Sequence, residues 1–138
     1  MKKQTVFDVR TYECDSYGHV NNANYLNYLE YGRMSFLQQI GFDYDGILKE
    51  GFFLYISHID IRYKSSAVFG DTLTVESYPT KMGAVSGTFH QTIKNQKGVL
   101  CAEADVTWAT VKAGGQLSKM PDKFIVPGLI PDPKDWEE

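Results

Sequence analysis

From Asn24 to Ile40, apolar side chains return at helical spacing. Tyr25, Leu29, Gly32 or Arg33, Phe36 and Ile40 form one stripe, and Leu26 and Leu37 widen it. Asn24 or Asn22 is placed to cap the start of this helix, and Gly41 follows its last apolar position as a stop. A shorter helix or turn is expected over 43–50. The rest of the chain follows a two-residue period. Residues 4–12 alternate loosely as a first strand, and 14–24, rich in Asp, Ser, Gly and Asn, read as a loop. In 52–64, Phe53, Tyr55, Ser57, Ile59, Ile61 and Tyr63 fall on one face. The other face begins apolar at Phe52, Leu54 and Ile56, then turns polar at His58, Asp60, Arg62 and Lys64. Further strands are expected at 72–79, 84–94 and 99–112, joined by hairpin turns at Lys81-Met82-Gly83 and Asn95 to Gly98. In the last strand Leu100, Ala102, Ala104, Val106 and Trp108 point inward, against Glu103 and Asp105 outward. Met120-Pro121 closes the sheet region, and the acidic, proline-bearing tail 127–138 reads as loosely held.

One strand, one buried helix and four antiparallel strands make an α+β layout. At 138 residues, without repeats or linkers, the chain is expected to be a single domain with its core over about 4–126. A single helix cannot cover both faces of so long a sheet. The apolar start of 52–64 and the wide helical stripe therefore call for burial against another subunit, as a homo-oligomer.

Composition narrows the function classes. A net charge of −3 gives no reason to expect nucleic acid or an anionic membrane surface, so a polyanionic ligand would have to be met by local Lys and Arg. No window approaches the roughly 18 apolar residues of a membrane span, and charges interrupt the N-terminal stretch where a signal segment would lie. Cys14 and Cys101 lack metal-ligand spacing. These features point to a cytoplasmic protein with free thiols and no metal.

The chemistry is concentrated in Asp15-Ser16-Tyr17-Gly18-His19-Val20-Asn21-Asn22-Ala23-Asn24-Tyr25. A carboxylate in a glycine-containing loop runs directly into a helix N-terminus. Unpaired N–H groups and the positive dipole end there can polarise a carbonyl. A nearby carboxylate can activate water or attack the carbonyl itself. Read alone, Asp15 is equally well a turn aspartate, His19 a loop-ordering residue, and Tyr25 a core residue.

The pattern Asp-x-x-Gly-His-Val-Asn-Asn-x-x-Tyr resembles the signature of hotdog-fold thioesterases of the 4-hydroxybenzoyl-CoA thioesterase type, and is similar to that of the Tol–Pal-associated acyl-CoA thioesterases. The following helix, the strand ending Ile61-Arg62-Tyr63, the Gly70-Asp71 turn and Met120-Pro121 extend the likeness over roughly residues 4–126. The resemblance implies a hotdog fold, one long central helix wrapped by a curved five-stranded antiparallel sheet. It also implies hydrolysis of an acyl-CoA thioester to free acid and coenzyme A, with no cofactor. Asp15 matches the catalytic carboxylate, nucleophile or general base. Asn22 matches the residue whose backbone N–H forms the oxyanion hole, and Tyr25 an aromatic lining the acyl pocket, with His19 facing the pocket or ordering the loop. In this family the site lies between two subunits, so a dimer or dimer of dimers is implied. Arg62, Lys64, Lys81, Ser86 and Lys119 are the candidates for the coenzyme A phosphates.

Competing readings remain at several positions. Glu30 and Arg33 are spaced for an i,i+3 ion pair, although some hotdog thioesterases use a helical Glu as the catalytic group. His58, Asp60 and Arg62 read as a solvated row, and Cys14 as packing. Phe53, Tyr55, Phe36 and Tyr25 can line a pocket for aromatic or aliphatic acyl groups alike. An acyl carrier protein substrate and a silent acyl-CoA-binding hotdog are the rival functions. A dehydratase lacks a visible Asp/His pattern.

Overall fold

Asn21, rather than Asn22 or Asn24, caps the long helix α1 (Asn22–Gln39). Its side-chain oxygen accepts the N–H of Ala23 at 2.9 Å. The helix ends where Ile40 gives way to Gly41, whose φ of 75° lies in the left-handed region. In this computed structural model, which describes residues 1–136, five strands surround the helix. They are β1 (Lys3–Asp8), β2 (Phe52–Tyr63), β3 (Thr72–Met82), β4 (Ser86–Lys94) and β5 (Leu100–Lys112). A short helix α2 (Tyr44–Lys49), capped by Asp43, precedes β2. The sheet is antiparallel with order β1-β3-β4-β5-β2, so β2 has a neighbour on one side only. This is the hotdog arrangement. Among the described residues no helix is long and apolar enough to cross a membrane.

The inward faces of the sheet and α1 enclose two apolar clusters. Tyr25, Tyr28 and Leu29 pack with Leu73, Val75, Ile93 and Val106 around the first half of the helix. Phe36 and Leu37 pack with Phe42, Ile47, Phe89, Trp108 and Met120 around the second. Between them lies a buried polar layer. The Gln91 amide donates to Leu29 O at 3.0 Å and to Ser77 Oγ at 2.9 Å, and Arg33 Nη1 donates to Gln91 Oε1 at 3.2 Å. Helix and sheet approach closely at Gly32, where a Cβ would lie 2.5 Å from Val75 Cγ1.

Several expectations are corrected. Register in β2 shifts between Ile56 and His58, a bulge at Ser57 that reverses the alternation. Phe52 and Leu54 therefore pack inward on the second cluster, Ile59 and Ile61 inward on the first. No single face carries Phe53 through Tyr63. The strand β1 ends at Asp8, and Thr11–Glu13 form a 3-10 turn. Lys81 and Met82 do not form a hairpin turn; they end β3, paired with Thr88 and Gly87. Pro79 is tolerated inside β3 because β1 pairs only as far as Ser77, leaving that edge without a ladder to supply. Nor is the tail loose throughout. The 3-10 turn Pro127–Leu129 lies against β3 with Leu129 buried, and the Met1 amine meets Asp135 Oδ2 at 2.6 Å. The last two tail residues, 137 and 138, lie outside the described residues.

Candidate active site

Glu13 ties the loop at 14–20 to the helix that follows. Its carbonyl accepts the N–H of Asn21 at 2.9 Å and the Asn24 amide at 3.1 Å. Its buried carboxylate accepts the Tyr28 hydroxyl at 2.9 Å, the Arg10 N–H at 2.8 Å and Arg10 Nη2 at 3.1 Å. Burial first, then the bond to Glu13, pushes the Tyr28 hydroxyl pKa well above its ordinary value. On the other side, Val20 donates to Ala67 O at 2.9 Å, and the Ala67 N–H donates to the Tyr25 hydroxyl at 3.0 Å.

Within the loop, Asp15 N–H donates to His19 O at 2.8 Å and Gly18 N–H to Asp15 O at 3.0 Å. Asp15 Oδ1 accepts the N–H of Tyr17 at 2.9 Å and of His19 at 3.3 Å, while Oδ2 has no hydrogen bond among the described residues. The aspartate thus shapes the turn with one oxygen and presents an exposed carboxylate to solvent. Cys14 bridges to Val20 across the loop, which sets Asp15 one residue from the partner of Val20.

Val20, Asn22, Tyr25, Tyr63, Lys64, Ser65 and Ser66 line a groove of about 270 Å³ at the start of α1. Here the first-turn donors can be accounted for one by one. Asn21 N–H is held by Glu13 O, Ala23 N–H by the Asn21 side chain, and Asn24 N–H by Asn21 O. The N–H of Asn22 is left without a protein partner among the described residues, while its carbonyl accepts the Tyr63 hydroxyl at 3.1 Å. A free donor at a helix N-terminus, facing a groove, can polarise a carbonyl.

The structure gathers Asn22, Tyr25 and Lys64 at this groove; Asp15 and His19 are not among its lining residues but belong to the loop that leads into it at Val20. Tyr25 is mainly core, 4% exposed, with its hydroxyl spent on Ala67. His19 is exposed and orders the loop through its backbone. Arg62 lies on the outer sheet face with Asp60 at 3.9 Å, and Lys64 reaches Glu103 at 3.9 Å. Lys81 and Ser86 sit where β3 passes into β4, at the other end of the sheet, and Lys119 pairs with Asp122 at 3.6 Å. Within one chain these three do not join the groove.

The expected Glu30–Arg33 ion pair is not formed within 4 Å; Arg33 turns inward to Gln91 instead. Phe36 is sealed in the core, and Phe53 and Tyr55 occupy the face opposite to inward Leu54, so none of the three lines the groove. Glu13, Tyr63 and the Ser65-Ser66 pair join the site without having been singled out. Glu13 meets Asn24 and Tyr28 at separations of 11 and 15 residues and Tyr63 meets Asn22 at 41, separations no local spacing displays.

Residues 9–126 match the thioesterase-like superfamily. Over 103 residues the chain is 35% identical to the acyl-acyl carrier protein thioesterase ATL3 of Arabidopsis thaliana, covering 72% of this chain and 54% of that protein. Over 109 residues it is 32% identical to the long-chain acyl-CoA thioesterase FadM of Escherichia coli K12, covering 78% and 82%. The chain thus spans about half the length of the plant relative and most of the bacterial one. A DHNA-CoA thioesterase structure from Staphylococcus aureus superposes with a TM-score of 0.83 over 98% of this chain and 85% of that one; at 20% identity this likeness establishes the fold alone. The chain belongs to the thioesterase-like superfamily, a hotdog family of thioester hydrolases.

Proposed function

We propose that this protein hydrolyses acyl-CoA thioesters to a carboxylic acid and coenzyme A, in the cytoplasm and as a homo-oligomer. The observation that carries this reading is the unclaimed Asn22 N–H at the start of α1, beside the loop that presents Asp15. The thioester carbonyl oxygen would accept that N–H, and charge developing on it is stabilised by the helix end. Asp15 either takes a proton from the attacking water or attacks the carbonyl carbon to form an anhydride that water then opens. Collapse of the tetrahedral intermediate releases coenzyme A as thiolate, an adequate leaving group since a thiol has a pKa of about 8.5. Lys64 at the groove rim is the basic residue best placed for a coenzyme A phosphate, and no metal or organic cofactor enters the scheme.

Oligomerisation follows from β2, a 12-residue edge strand with Tyr55, Ile56 and Tyr63 exposed. An uncovered edge of this length is a template for pairing. A two-fold axis normal to the sheet would pair β2 with its own copy antiparallel, setting the Phe52 end of one chain beside the Tyr63 end of the other. The groove of each chain would then be completed by the opposite end of its partner, from which Lys81 and Ser86 can contribute.

Thiol release from a panel of acyl-CoAs, measured on the wild type and on Asp15→Asn, tests the reading. Asn keeps the Oδ1 acceptor that shapes the loop, so a drop of about 10²-fold or more in kcat is expected from lost base or nucleophile. Absence of turnover with every acyl-CoA would overturn the activity. Equal rates for the variant and wild type would remove Asp15 from the chemistry and direct attention to Glu30. The name of the plant relative favours one second reading, acyl groups carried on acyl carrier protein; the same assay on acyl carrier protein thioesters decides between them.

A further inference from the structure

Arg33 is only 8% exposed, on the inward side of a helix whose neighbours there are Leu29, Phe36 and Leu37. A guanidinium carries five N–H donors. One goes to Gln91 Oε1 at 3.2 Å, and no other hydrogen bond or ion pair of Arg33 is formed among the described residues. Burial lowers its pKa and Glu30 opposes that shift, but an arginine remains charged. The surplus donors border a pocket of about 90 Å³ between α1 and the edge strand β2, walled by Leu37, Leu54, Ile56, Phe89 and Trp108.

An apolar pocket with one buried, under-used cation suits a hydrocarbon chain that bears an acceptor. Glu30 also lines this pocket, and its negative charge favours a neutral acceptor over a carboxylate. Arg33 stands eleven residues beyond Asn22 on α1, roughly 16 Å along the axis at the rise of an α-helix. The acceptor it would meet is therefore remote from a thioester held at the start of the same chain's helix.

We infer that this pocket takes the distal part of the acyl chain, and that Arg33 selects acyl groups carrying a hydroxyl or keto oxygen far from the thioester. The inference rests on the acyl-CoA hydrolase reading. Its test compares kcat/KM for dodecanoyl-CoA, ω-hydroxydodecanoyl-CoA, 3-hydroxydodecanoyl-CoA and dodecanedioyl-CoA on the wild type, Arg33→Met and Glu30→Gln.

In the wild type the ω-hydroxy chain should exceed the plain chain by about ten- to a hundred-fold, the usual worth of a hydrogen bond to a charged group. In Arg33→Met that ratio should fall to near one. A purely structural role for Arg33 would depress both substrates together and leave the ratio unchanged. Should Arg33→Met fail to fold, Glu30→Gln serves, because removing the opposing charge should raise relative turnover of the dicarboxylic chain. A wild-type ratio near one, its survival in Arg33→Met, equal preference for the 3-hydroxy chain, or no gain in Glu30→Gln would overturn the inference. Failure to turn over any of the four would instead sink the acyl-CoA reading on which it stands.

Discussion

Tyr28 and Glu13, fifteen residues apart in the chain, meet in the interior, where the Tyr28 hydroxyl donates to Glu13 Oε1 at 2.9 Å. Arg10 holds the same carboxylate from the other side, and the Glu13 carbonyl carries two groups from the start of α1. The bond therefore fixes where the Asp15 loop stands relative to the helix N-terminus. Tyr28→Phe removes one donor from a buried carboxylate while keeping the ring's packing. It should cost about 1.5–3 kcal/mol, the usual worth of a hydrogen bond to a charged group, and should lower kcat more than it raises KM. Urea denaturation and steady-state kinetics on the variant would show both effects. An unchanged midpoint would mean that Arg10 alone suffices to hold Glu13.

Alkaline stability follows from the same burial. Desolvation raises the pKa of Tyr25, of Tyr28 (with a further push from Glu13) and of Tyr78. A pKa raised in the folded state means that the unfolded chain loses these protons first. Their contribution is complete below the unfolded value near 10 and is lost as pH climbs through the folded values. Stability should thus decline above about pH 10, by up to ~1.4 kcal/mol per pH unit for each proton involved. Tyr28→Phe should have a shallower slope in that window. Urea midpoints between pH 8 and 11.5 would show this, and parallel slopes for the two proteins would exclude Tyr28 as a contributor.

Gly32 offers a different kind of test, because two effects oppose each other. Alanine is favoured over glycine in a helix by about 1 kcal/mol. The new methyl would, however, lie 2.5 Å from Val75 Cγ1 and 3.2 Å from Gln91 Nε2. Overpacking of this kind costs roughly 1–3 kcal/mol, and the polar layer at Gln91 would be pushed as well. Gly32→Ala should therefore be net destabilising. Val75→Ala removes the Cγ1 contact but keeps a Cβ at 3.1 Å, so it should reduce the cost of the second substitution, and the pair should be clearly non-additive in a double-mutant cycle.

These positions also mark what could be read along the chain and what could not. The stripe from Tyr25 through Leu29 and Phe36 located α1 because it is a local pattern, repeated every turn. Its starting point was misplaced because Asn21, Asn22 and Asn24 all qualify as caps. Only the position of the Ala23 N–H selects among them. The faces of β2 were assigned wrongly beyond Ile56 because a bulge adds one residue with no compositional mark. Arg33 read either as a member of the helical stripe or as an ion-pair partner of Glu30, since nothing local reveals that Gln91, 58 residues on, waits on the inner side. Leu129 was lost in a proline-rich acidic tail, yet it is buried against the second core cluster. At the site, the donor left free at Asn22 emerged only once its three neighbours had been given partners.

The edge strand gives the last prediction. Tyr55 projects from β2 on the face opposite α1 and is 54% exposed in the single chain. In the antiparallel pairing of β2 with its own copy that sets Phe52 beside Tyr63, Tyr55 of each chain comes opposite Asp60 of the other on the outer sheet face. Tyr55→Glu would place like charges there, the device by which natural sheets keep edges apart. The wild type should sediment as a dimer or larger, and the variant should shift toward one chain at micromolar concentration. Because Tyr55 lies outside both the groove at Asn22 and the pocket at Arg33, loss of thioesterase activity in step with loss of the dimer would show that the site needs its partner. A monomeric variant with full activity would confine the site to one chain, and a wild type that is already monomeric would remove the β2 pairing altogether.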